Sequence, residues 1–409
     1  MVMSKVSTDA NAIKRFLTRG VENVYPNRDA VEAALKSGRR LRVYLGVDPT
    51  GPSLHLGHAI PMRKLAELQA LGHEVILLIG DFTAMIGDPT DKSATRKRLT
   101  RAEVLKNAKD YQGQASNILS FTGKNPATLK YNSSWLGKMS FEDVLELSVH
   151  FTIQQLGERD MFQNRTKEGK PVHLNEFLYP LMQAQDSVAM DVDMEVGGND
   201  QTFNMLAGRT LMKAVKGKEK FVLTTKLLVD PSGKKMGKTE GNMIALSDSP
   251  EDMYGKVMSW TDGMIVPGFE LVTDVPDDEI ESMRKQMSAG ANPMPFKRQL
   301  ARDVVKAFAG EKAAKAAEAH FSKVHQAHET PEEMPEYRVR GKPVPSGVEG
   351  WSVVDALVET QLVSSKSDAR RQVEQGGVKV DGKVVKDVNA TVKAGMVIQK
   401  GKRHFVRLS

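Results

Sequence analysis

Cysteine is absent from this 409-residue sequence, and so is any apolar run long enough to cross a membrane. Without cysteine there is no disulfide framework and no thiolate-bound metal, which fits a chain that works in a reducing cytosol. The N-terminal stretch MVMSKVSTDANAIKRFL has no continuous apolar segment, so a secretory signal is not expected either. These absences predict a cytoplasmic protein with no membrane partner.

Charge is plentiful but unevenly placed. The chain has 58 lysines and arginines against 51 acidic residues, a formal net charge of +7. Its last stretch, 351–409, holds eleven basic and six acidic side chains and therefore carries five of the seven excess positive charges. A small basic end on a nearly neutral body indicates a polyanionic partner. The length allows two or three domains.

The stretch 41–72 predicts a strand, a tight loop and a helix, because alternating apolar residues lead into DPTGP and then into a leucine-rich segment. Ser53 is the expected helix cap. His55 and His58 then share one face at the helix start, where the dipole and unpaired N–H groups attract phosphate, and Gly57 leaves room for a flat ring. The alternatives are two ordinary histidines or, less favoured, a metal pair.

A short apolar run at 74–80 predicts a second strand, so the two strands and the helix form a βαβ unit of a parallel sheet. Ligands bind beyond the carboxyl ends of such strands, where the loop GDFTAMIGDPTDKSATRKRLT begins. In this loop Thr83 and Asp88 could hold a cationic group, and Lys92 and Arg96 could clamp phosphates. A solvated surface loop is the alternative.

Two further motifs follow in the middle of the chain. Tyr179, Gln183 and Asp186 recur at spacings of four and three, which places them on one face of a helix. The GGNDQ stretch at 197–201 permits close approach of a ligand to the backbone, and Asp200 is placed to accept from sugar hydroxyls. An ordinary solvent face and an ordinary turn are the alternatives.

The stretch KKMGKT at 234–239 crowds three lysines into a glycine-containing loop. It could be a basic surface turn, but it lacks the spacing of a Walker A loop. Helices are expected over 1–40, 101–120, 141–160 and much of 250–321, and a proline-rich linker over 329–349. The end of the chain predicts two helices and a VKVDGKVV hairpin with a compact basic face suited to RNA.

These motifs resemble those of class I aminoacyl-tRNA synthetases of the bacterial tyrosine type. HLGH at 55–58 and KMGKT at 235–239 resemble the HIGH and KMSKS signatures. YxxxQxxD resembles the wall of the amino-acid pocket, and GGxDQ resembles the stretch that the family uses for ribose and substrate carboxyl contacts. SSKSDARRQVEQGGVKVDG resembles a ribosomal-type RNA-binding module. The resemblance implies a Rossmann-like parallel-sheet catalytic domain at 1–228 with N-terminal helices at 1–40, a signature loop and α-helical anticodon-binding domain at 229–330, a linker at 331–349, and a small α+β RNA-binding domain at 350–409.

The resemblance also implies a role for each matching residue. The catalytic residues would be His55, His58, Lys92, Arg96, Lys235, Lys238 and Thr239. The ATP-binding residues would be Gly46, Asp48, Thr50, His55, Gly57, His58, Gly198, Asp200 and Lys238. The tyrosine-binding residues would be Tyr44, Thr83, Asp88, Tyr179, Gln183, Asp186 and Gln201. The RNA-binding residues would be Lys366, Arg370, Arg371, Lys379 and Lys383.

The implied reaction activates L-tyrosine with ATP and transfers it to tRNA(Tyr). Mg²⁺ would arrive with ATP, and neither a dedicated metal site nor a permanently bound cofactor is expected. The resemblance also implies a homodimer. Glu195, Gln185 and Leu45 depart from well-known relatives. One alternative is the sister enzyme for tryptophan, which Tyr44 and Asp186 argue against. The other is a non-catalytic RNA-binding protein on the same scaffold.

Overall fold

The computed structural model describes residues 5–90, 98–230, 233, 243–323, 334–338, 350–363, 365–401 and 404–409. The chain divides into two compact units, Met1–Ala314 and Lys315–Ser409. Among the described residues, no helix combines the length and apolar character that a membrane crossing needs.

The first unit is built on a six-stranded sheet. Its strands are β1 (Val21–Tyr25), β2 (Arg42–Val47), β3 (Glu74–Ile79), β4 (Thr128–Tyr131), β5 (Met194–Gly198) and β6 (Phe221–Thr225). Their order is β1-β6-β5-β2-β3-β4, and all neighbours are parallel except the edge pair β1 and β6. The predicted parallel sheet is therefore confirmed, with β2 at the point where the chain order reverses.

Helices connect and cover these strands. They are α1 (Ala10–Thr18), α2 (Arg28–Lys36), α3 (Leu56–Ala70), α4 (Arg101–Ala108), α5 (Tyr111–Ala115), α6 (Ser133–Leu136), α7 (Phe141–Ser148), α8 (Ile153–Gly157), α9 (Asp160–Lys167), α10 (Leu174–Met190) and α11 (Thr202–Lys216). After the sheet come α12 (Pro250–Met258), α13 (Ile265–Val272), α14 (Asp277–Ser288), α15 (Met294–Ala309) and α16 (Glu311–Phe321). The expected helical region after the sheet is confirmed.

Three predictions about the first unit are wrong in detail. The all-helical reading of 1–40 misses β1, which is a strand because it pairs with β6, a segment about two hundred residues later. The helices predicted at 101–120 and 141–160 are broken into shorter ones that begin at caps such as Ser140 and Thr152. Finally, α3 is capped by His55 and not by Ser53.

The second unit forms its own core. Its elements are β7 (Glu336–Tyr337), β8 (Trp351–Ser352), α17 (Val353–Glu359), α18 (Lys366–Glu374), β9 (Val378–Val380), β10 (Lys383–Val384), β11 (Thr391–Val392), β12 (Val397–Lys400) and β13 (His404–Leu408). The predicted hairpin is present: β9 pairs with β10, and Asp381 and Gly382 both adopt the positive φ that a tight turn requires. β7 lies inside the predicted linker and pairs with β13.

One buried histidine makes the first unit sensitive to acid. His73 is fully buried before β3, its Nδ1 accepts the N–H of Leu41, and burial together with the Arg40 guanidinium lowers its pKa to about 4. The unfolded chain binds a proton near pH 6.5, so the free energy of unfolding decreases by roughly 3 kcal/mol as the pH drops from about 6.5 to 4. Denaturant unfolding at pH 7 and pH 4.5 measures this loss.

His73→Asn is the matched variant for that measurement, because the amide oxygen can keep the Leu41 bond without titrating. Between the two pH values, we expect the free energy of unfolding of the variant to decrease by about 2 kcal/mol less than that of the parent. An equal loss in both proteins would assign the acid sensitivity to other groups.

Candidate active site

Asp48 joins two parts of the site at the carboxyl edge of the sheet. Its Oδ1 accepts a hydrogen bond from Thr83 Oγ1 at 2.7 Å, and its Oδ2 accepts one from the Tyr179 hydroxyl at 2.8 Å. A Cβ at Gly80 would lie 2.0 Å from Asp48 Oδ1, so only glycine fits at this crossing. Asp48, predicted for ATP, is therefore held by two residues predicted for the amino acid.

Asp186 is a buried carboxyl group with two fixed donors. Trp135 Nε1 donates to Oδ1 at 2.7 Å and Asn132 Nδ2 donates to Oδ2 at 3.2 Å. Burial raises the pKa of Asp186 well above its usual value, although both donors oppose the rise. In this buried environment, where water cannot compete, the carboxyl group can form a hydrogen bond with a hydroxyl group of a ligand.

Tyr44 stands on β2 in the same buried region. It is fully buried, shares a hydrogen bond of 3.0 Å with Ser187 Oγ, and has a pKa raised well above its usual value by burial and by the nearby carboxyl groups of Glu195 and Asp186. The predicted pair of Tyr44 and Asp186 thus belongs to one low-dielectric pocket. Trp135 packs against the hydrophobic cluster that contains Tyr44.

Asp88 is held from two sides by hydrogen bonds and an ion pair. Its Oδ2 accepts from Gln201 Nε2 at 2.6 Å, and its Oδ1 accepts from Thr90 Oγ1 at 2.7 Å and lies 3.6 Å from the Arg159 guanidinium. Arg159 itself is buried, and its guanidinium group lies over the rings of Phe162 and Phe203. The loop carboxylate and the GGNDQ glutamine, which are far apart in sequence, are therefore in direct contact.

The two histidines form a reciprocal cap on α3. Gly57 N–H donates to His55 Nδ1 at 3.1 Å, His55 N–H donates to His58 Nδ1 at 3.2 Å, and the ring centroids lie 3.9 Å apart. Burial and the neighbouring His55 lower the pKa of His58 well below its usual value. Because each Nδ1 accepts, each neutral ring carries its proton on Nε2, where it can donate to an anion.

The chain after the KMGKT stretch returns to this cap. Leu56 N–H donates to Ile244 O at 3.1 Å, and Leu246 N–H donates to Leu54 O at 2.8 Å, with a β-bridge between His55 and Ala245. The stretch at 243–246 is thus bonded to the HLGH segment. Five predicted residues lie outside the described ranges, namely Lys92, Arg96, Lys235, Lys238 and Thr239.

The other residues predicted for ATP lie at the ends of β2 and β5. Gly46 is exposed on β2 and Thr50 is exposed just beyond it, Gly57 is in the first turn of α3, Gly198 ends β5, and Asp200 lies in the short 3₁₀ turn Asn199–Gln201. Parallel strands place these ends along one edge of the sheet.

Sequence reasoning missed several side chains that build the pocket: Asn132, Trp135, Arg159, Ser187 and Lys220. The first two follow β4, and the turn-forming NSSW after the alternating TLKY could have signalled a strand end at the ligand edge. The others had no signal, because their importance depends on contacts with distant segments. Among the described residues, no cluster of three potential metal ligands occurs.

The residues predicted to bind RNA all lie in the second unit. Lys366, Arg370 and Arg371 are exposed on α18, Lys379 is half-buried on β9, and Lys383 is exposed on β10. Two of them have acidic neighbours, since Lys366 pairs with Asp355 at 2.7 Å and Arg371 pairs with Asp368 at 2.6 Å.

Comparisons with known proteins agree with this architecture. Residues 36–326 match the family described as tRNA synthetases class I (W and Y), and residues 353–398 match the S4 domain. The tyrosine–tRNA ligase of Thermotoga maritima is 44% identical over 97% of this chain and 96% of its own, and that of Haemophilus ducreyi is 42% identical over 97% and 98%.

A solved structure matches the fold as well. The C-terminally truncated mitochondrial tyrosyl-tRNA synthetase of Coccidioides posadasii has a TM-score of 0.62 and 26% identity, and the match covers 75% of this chain and 91% of that one. The family predicted from the motifs is confirmed. On the extent of these matches, this chain belongs to the tyrosine–tRNA ligases, within the class I tRNA synthetases.

Proposed function

We propose that this chain activates L-tyrosine with ATP to tyrosyl-adenylate and pyrophosphate and then transfers the tyrosyl group to the terminal adenosine of tRNA(Tyr). The observation that carries the choice of amino acid is the buried Asp186, held by Trp135 and Asn132 in the pocket of Tyr44. A purely apolar pocket would not favour tyrosine over phenylalanine, whereas these polar groups can form hydrogen bonds with the phenolic hydroxyl. The named relatives support the same substrate.

The amino acid would be bound at both ends. Tyr44 and Asp186 would exchange hydrogen bonds with the phenol, while Asp88, Tyr179 and Gln183 would surround the ammonium group. The remaining residues proposed for tyrosine, Thr83 and Gln201, act as supports, because Thr83 donates to Asp48 and Gln201 donates to Asp88. Thr83 and Gln201 would therefore orient the groups that touch the substrate.

The nucleotide would lie along the edge from α3 to the GGNDQ turn. There Gly46, Asp48, Thr50, Gly57, Gly198 and Asp200 are proposed to contact ATP. The substrate carboxylate attacks the α-phosphorus and pyrophosphate leaves, so no covalent enzyme intermediate is needed. Catalysis is then positioning and charge stabilisation, to which the Nε2–H donors of His55 and His58 contribute.

Charge on the departing pyrophosphate would be met by the lysine-rich loops. Lys92, Arg96, Lys235, Lys238 and Thr239 are proposed for this role from the family motifs. Mg²⁺ would enter bound to ATP, as hard phosphate oxygens favour, without a permanently bound cofactor. The S4 unit, with its residues Lys366, Arg370, Arg371, Lys379 and Lys383, would contact the RNA backbone, and we place the enzyme in the cytoplasm with its tRNA.

ATP–pyrophosphate exchange with tyrosine, tryptophan or phenylalanine tests the first step directly. We expect tyrosine to drive exchange far more efficiently than phenylalanine or tryptophan, followed by charging of tRNA(Tyr) in a separate aminoacylation assay. Exchange driven by tryptophan would overturn the assignment of Tyr44 and Asp186. RNA binding with no exchange for any amino acid would favour a non-catalytic RNA-binding protein.

A homodimer is part of the proposal, because one region of the first unit exposes large apolar side chains. Phe141, Val149, Ile153 and Leu174 are 72–79% exposed, and Leu145 is 52% exposed. They belong to α7, α8, the loop between them and the start of α10, whose inward residues Leu147, Leu156 and Leu181 share one hydrophobic cluster. Large apolar groups on one exposed region are typical of an interface, and a twofold dimer is the commonest closed assembly.

Replacing this region by charge should give monomers. For Phe141→Asp/Ile153→Asp we expect the mass from light scattering at micromolar concentration to fall from about twice 45.1 kDa to the monomer value. Val215→Asp, which alters an exposed apolar residue on α11, is the matched control and should stay dimeric. A parent protein that is monomeric at all concentrations would exclude the dimer.

A further inference from the structure

A buried ion pair joins Lys220 to Glu195, one of the positions at which this chain departs from well-known relatives. The side chains of Lys220 and Glu195 are 0% and 2% exposed and are bonded to each other. Glu195 is on β5, in register with Tyr44 on the neighbouring β2, so both side chains lie on one face of the sheet. Lys220 immediately precedes β6 and reaches the same place.

The ammonium group of Lys220 has three acceptors, one for each proton. Besides Glu195, Nζ donates to Ser187 Oγ at 2.9 Å and to Met205 O at 3.1 Å. A Cβ at Gly208 would lie 2.4 Å from Nζ and 2.8 Å from Ser187 Oγ, so the glycine in α11 leaves the space that the lysine occupies. The charged pair is therefore an integral part of the interior.

The second oxygen of Glu195 determines how the Gln183 amide is turned. Gln183 Nε2 donates to Glu195 Oε1 at 2.9 Å. An ionised carboxylate only accepts hydrogen bonds, so it must face the NH₂ of Gln183 and never the carbonyl oxygen. The Gln183 Oε1 is then turned away as an acceptor, and within the described part of the chain no group donates to it.

We infer that the Glu195–Lys220 ion pair positions the Gln183 amide so that its oxygen accepts from the ammonium group of tyrosine, an inference that rests on the proposed function. Without the Lys220 ammonium group, the Glu195 carboxyl group would lose the contact that fixes its orientation and could turn away from Gln183. The amide could then turn either way. Lys220 and Glu195 are therefore positioning residues, since they act on the substrate through Gln183.

Binding of two ligands that differ only in the amino group tests this inference. The fluorescence of Trp135, which touches Asp186, can report the Kd of L-tyrosine and of 3-(4-hydroxyphenyl)propanoate. For Lys220→Met we expect the Kd of tyrosine to rise about 30-fold, while the Kd of the propanoate changes less than about threefold. Adding Glu195→Gln should not restore tyrosine binding, because an amide at position 195 can donate to Gln183 as well as accept from it and therefore does not fix its orientation.

Lys297→Met is the matched control. Lys297 is also buried, donates to Trp260 O at 2.8 Å and pairs with Asp262, but it belongs to α15 after the sheet. The Lys297→Met variant should be less stable than the parent, but its Kd values for tyrosine and for the propanoate should be unchanged. If Lys220→Met does not fold, Glu195→Gln alone should raise the Kd of tyrosine about tenfold and leave the propanoate unaffected.

The possible results separate the inference from the function. Equal weakening of both ligands, or tyrosine binding restored in the double variant, would overturn the positioning role. If the parent protein bound neither ligand and catalysed no exchange with tyrosine, the proposed function itself would fail. Tyrosine-driven exchange in the parent, with unchanged Kd values in Lys220→Met, would refute the inference alone.

Discussion

Asp186→Ala should lower kcat/KM for tyrosine by about 10³-fold, or about 4 kcal/mol, because each buried polar group that loses its hydrogen-bond partner costs roughly 1–3 kcal/mol. The substitution removes the acceptor for the phenolic hydroxyl and leaves the N–H groups of Trp135 and Asn132 without their partner. Pyrophosphate exchange at several tyrosine concentrations gives the value. The expected loss is larger than the packing change of a small side chain would produce.

Selectivity distinguishes this loss from general damage. Phenylalanine has no hydroxyl for Asp186, so its residual exchange should not fall in Asp186→Ala, and the ratio of kcat/KM for the two amino acids should collapse. Asp193→Ala is the matched control, because Asp193 is also buried but binds Arg39 and the Arg42 N–H at the opposite edge of the sheet. An unchanged ratio in Asp186→Ala would remove this residue from the pocket.

His55→Ala/His58→Ala should lower kcat for exchange by about 10³-fold, since a preorganised donor that meets developing charge is worth roughly 10²–10³ in rate. The KM for tyrosine should stay within about threefold, because neither ring touches Tyr44 or Asp186 in the described hydrogen bonds. The loss of the His55 cap should also lower stability by about 1 kcal/mol. Steady-state kinetics and thermal unfolding separate the two effects.

Glutamine variants test the assigned tautomers. A glutamine amide nitrogen can take the place of histidine Nε2, so His58→Gln should retain much more activity than His58→Ala. The lowered pKa of His58 keeps the ring neutral at and above pH 7, so kcat of the parent should not fall between pH 7 and pH 9 through loss of a histidine proton. Alanine and glutamine variants of equal activity would contradict donation from Nε2.

Much of the fold could be predicted because its signals are local. The apolar run of β3, the helix face that presents Tyr179, Gln183 and Asp186, and the Asp381-Gly382 turn each depend on a few neighbouring residues. Element ends were harder. Ser53 was a reasonable cap by type, but the structure uses His55, whose backbone and ring bond to Gly57 and His58.

The pocket itself shows the limit of such signals. Lys220 follows Lys218 and Glu219 and looks like one more surface charge, yet it is fully buried beside Ser187 and Glu195. The sequence of β1 resembles a connection between two helices, and only its pairing with β6 makes it a strand. These features depend on contacts between segments that are distant along the chain, which composition and periodicity do not encode.

By itself, the sequence determined the order of the motifs, the parallel sheet, the basic C-terminal unit and the family, because these follow from short-range patterns and from residues matched in place. Only the tertiary structure decided which side chains contact one another in the pocket. Trp135 and Asn132 donate hydrogen bonds to Asp186, and Arg159 pairs with Asp88. Glu195, which pairs with Lys220, accepts a hydrogen bond from Gln183. The physical reason is burial. Hydrogen bonds and ion pairs acquire their strength and direction from a water-free environment, which forms only when distant strands and helices pack together.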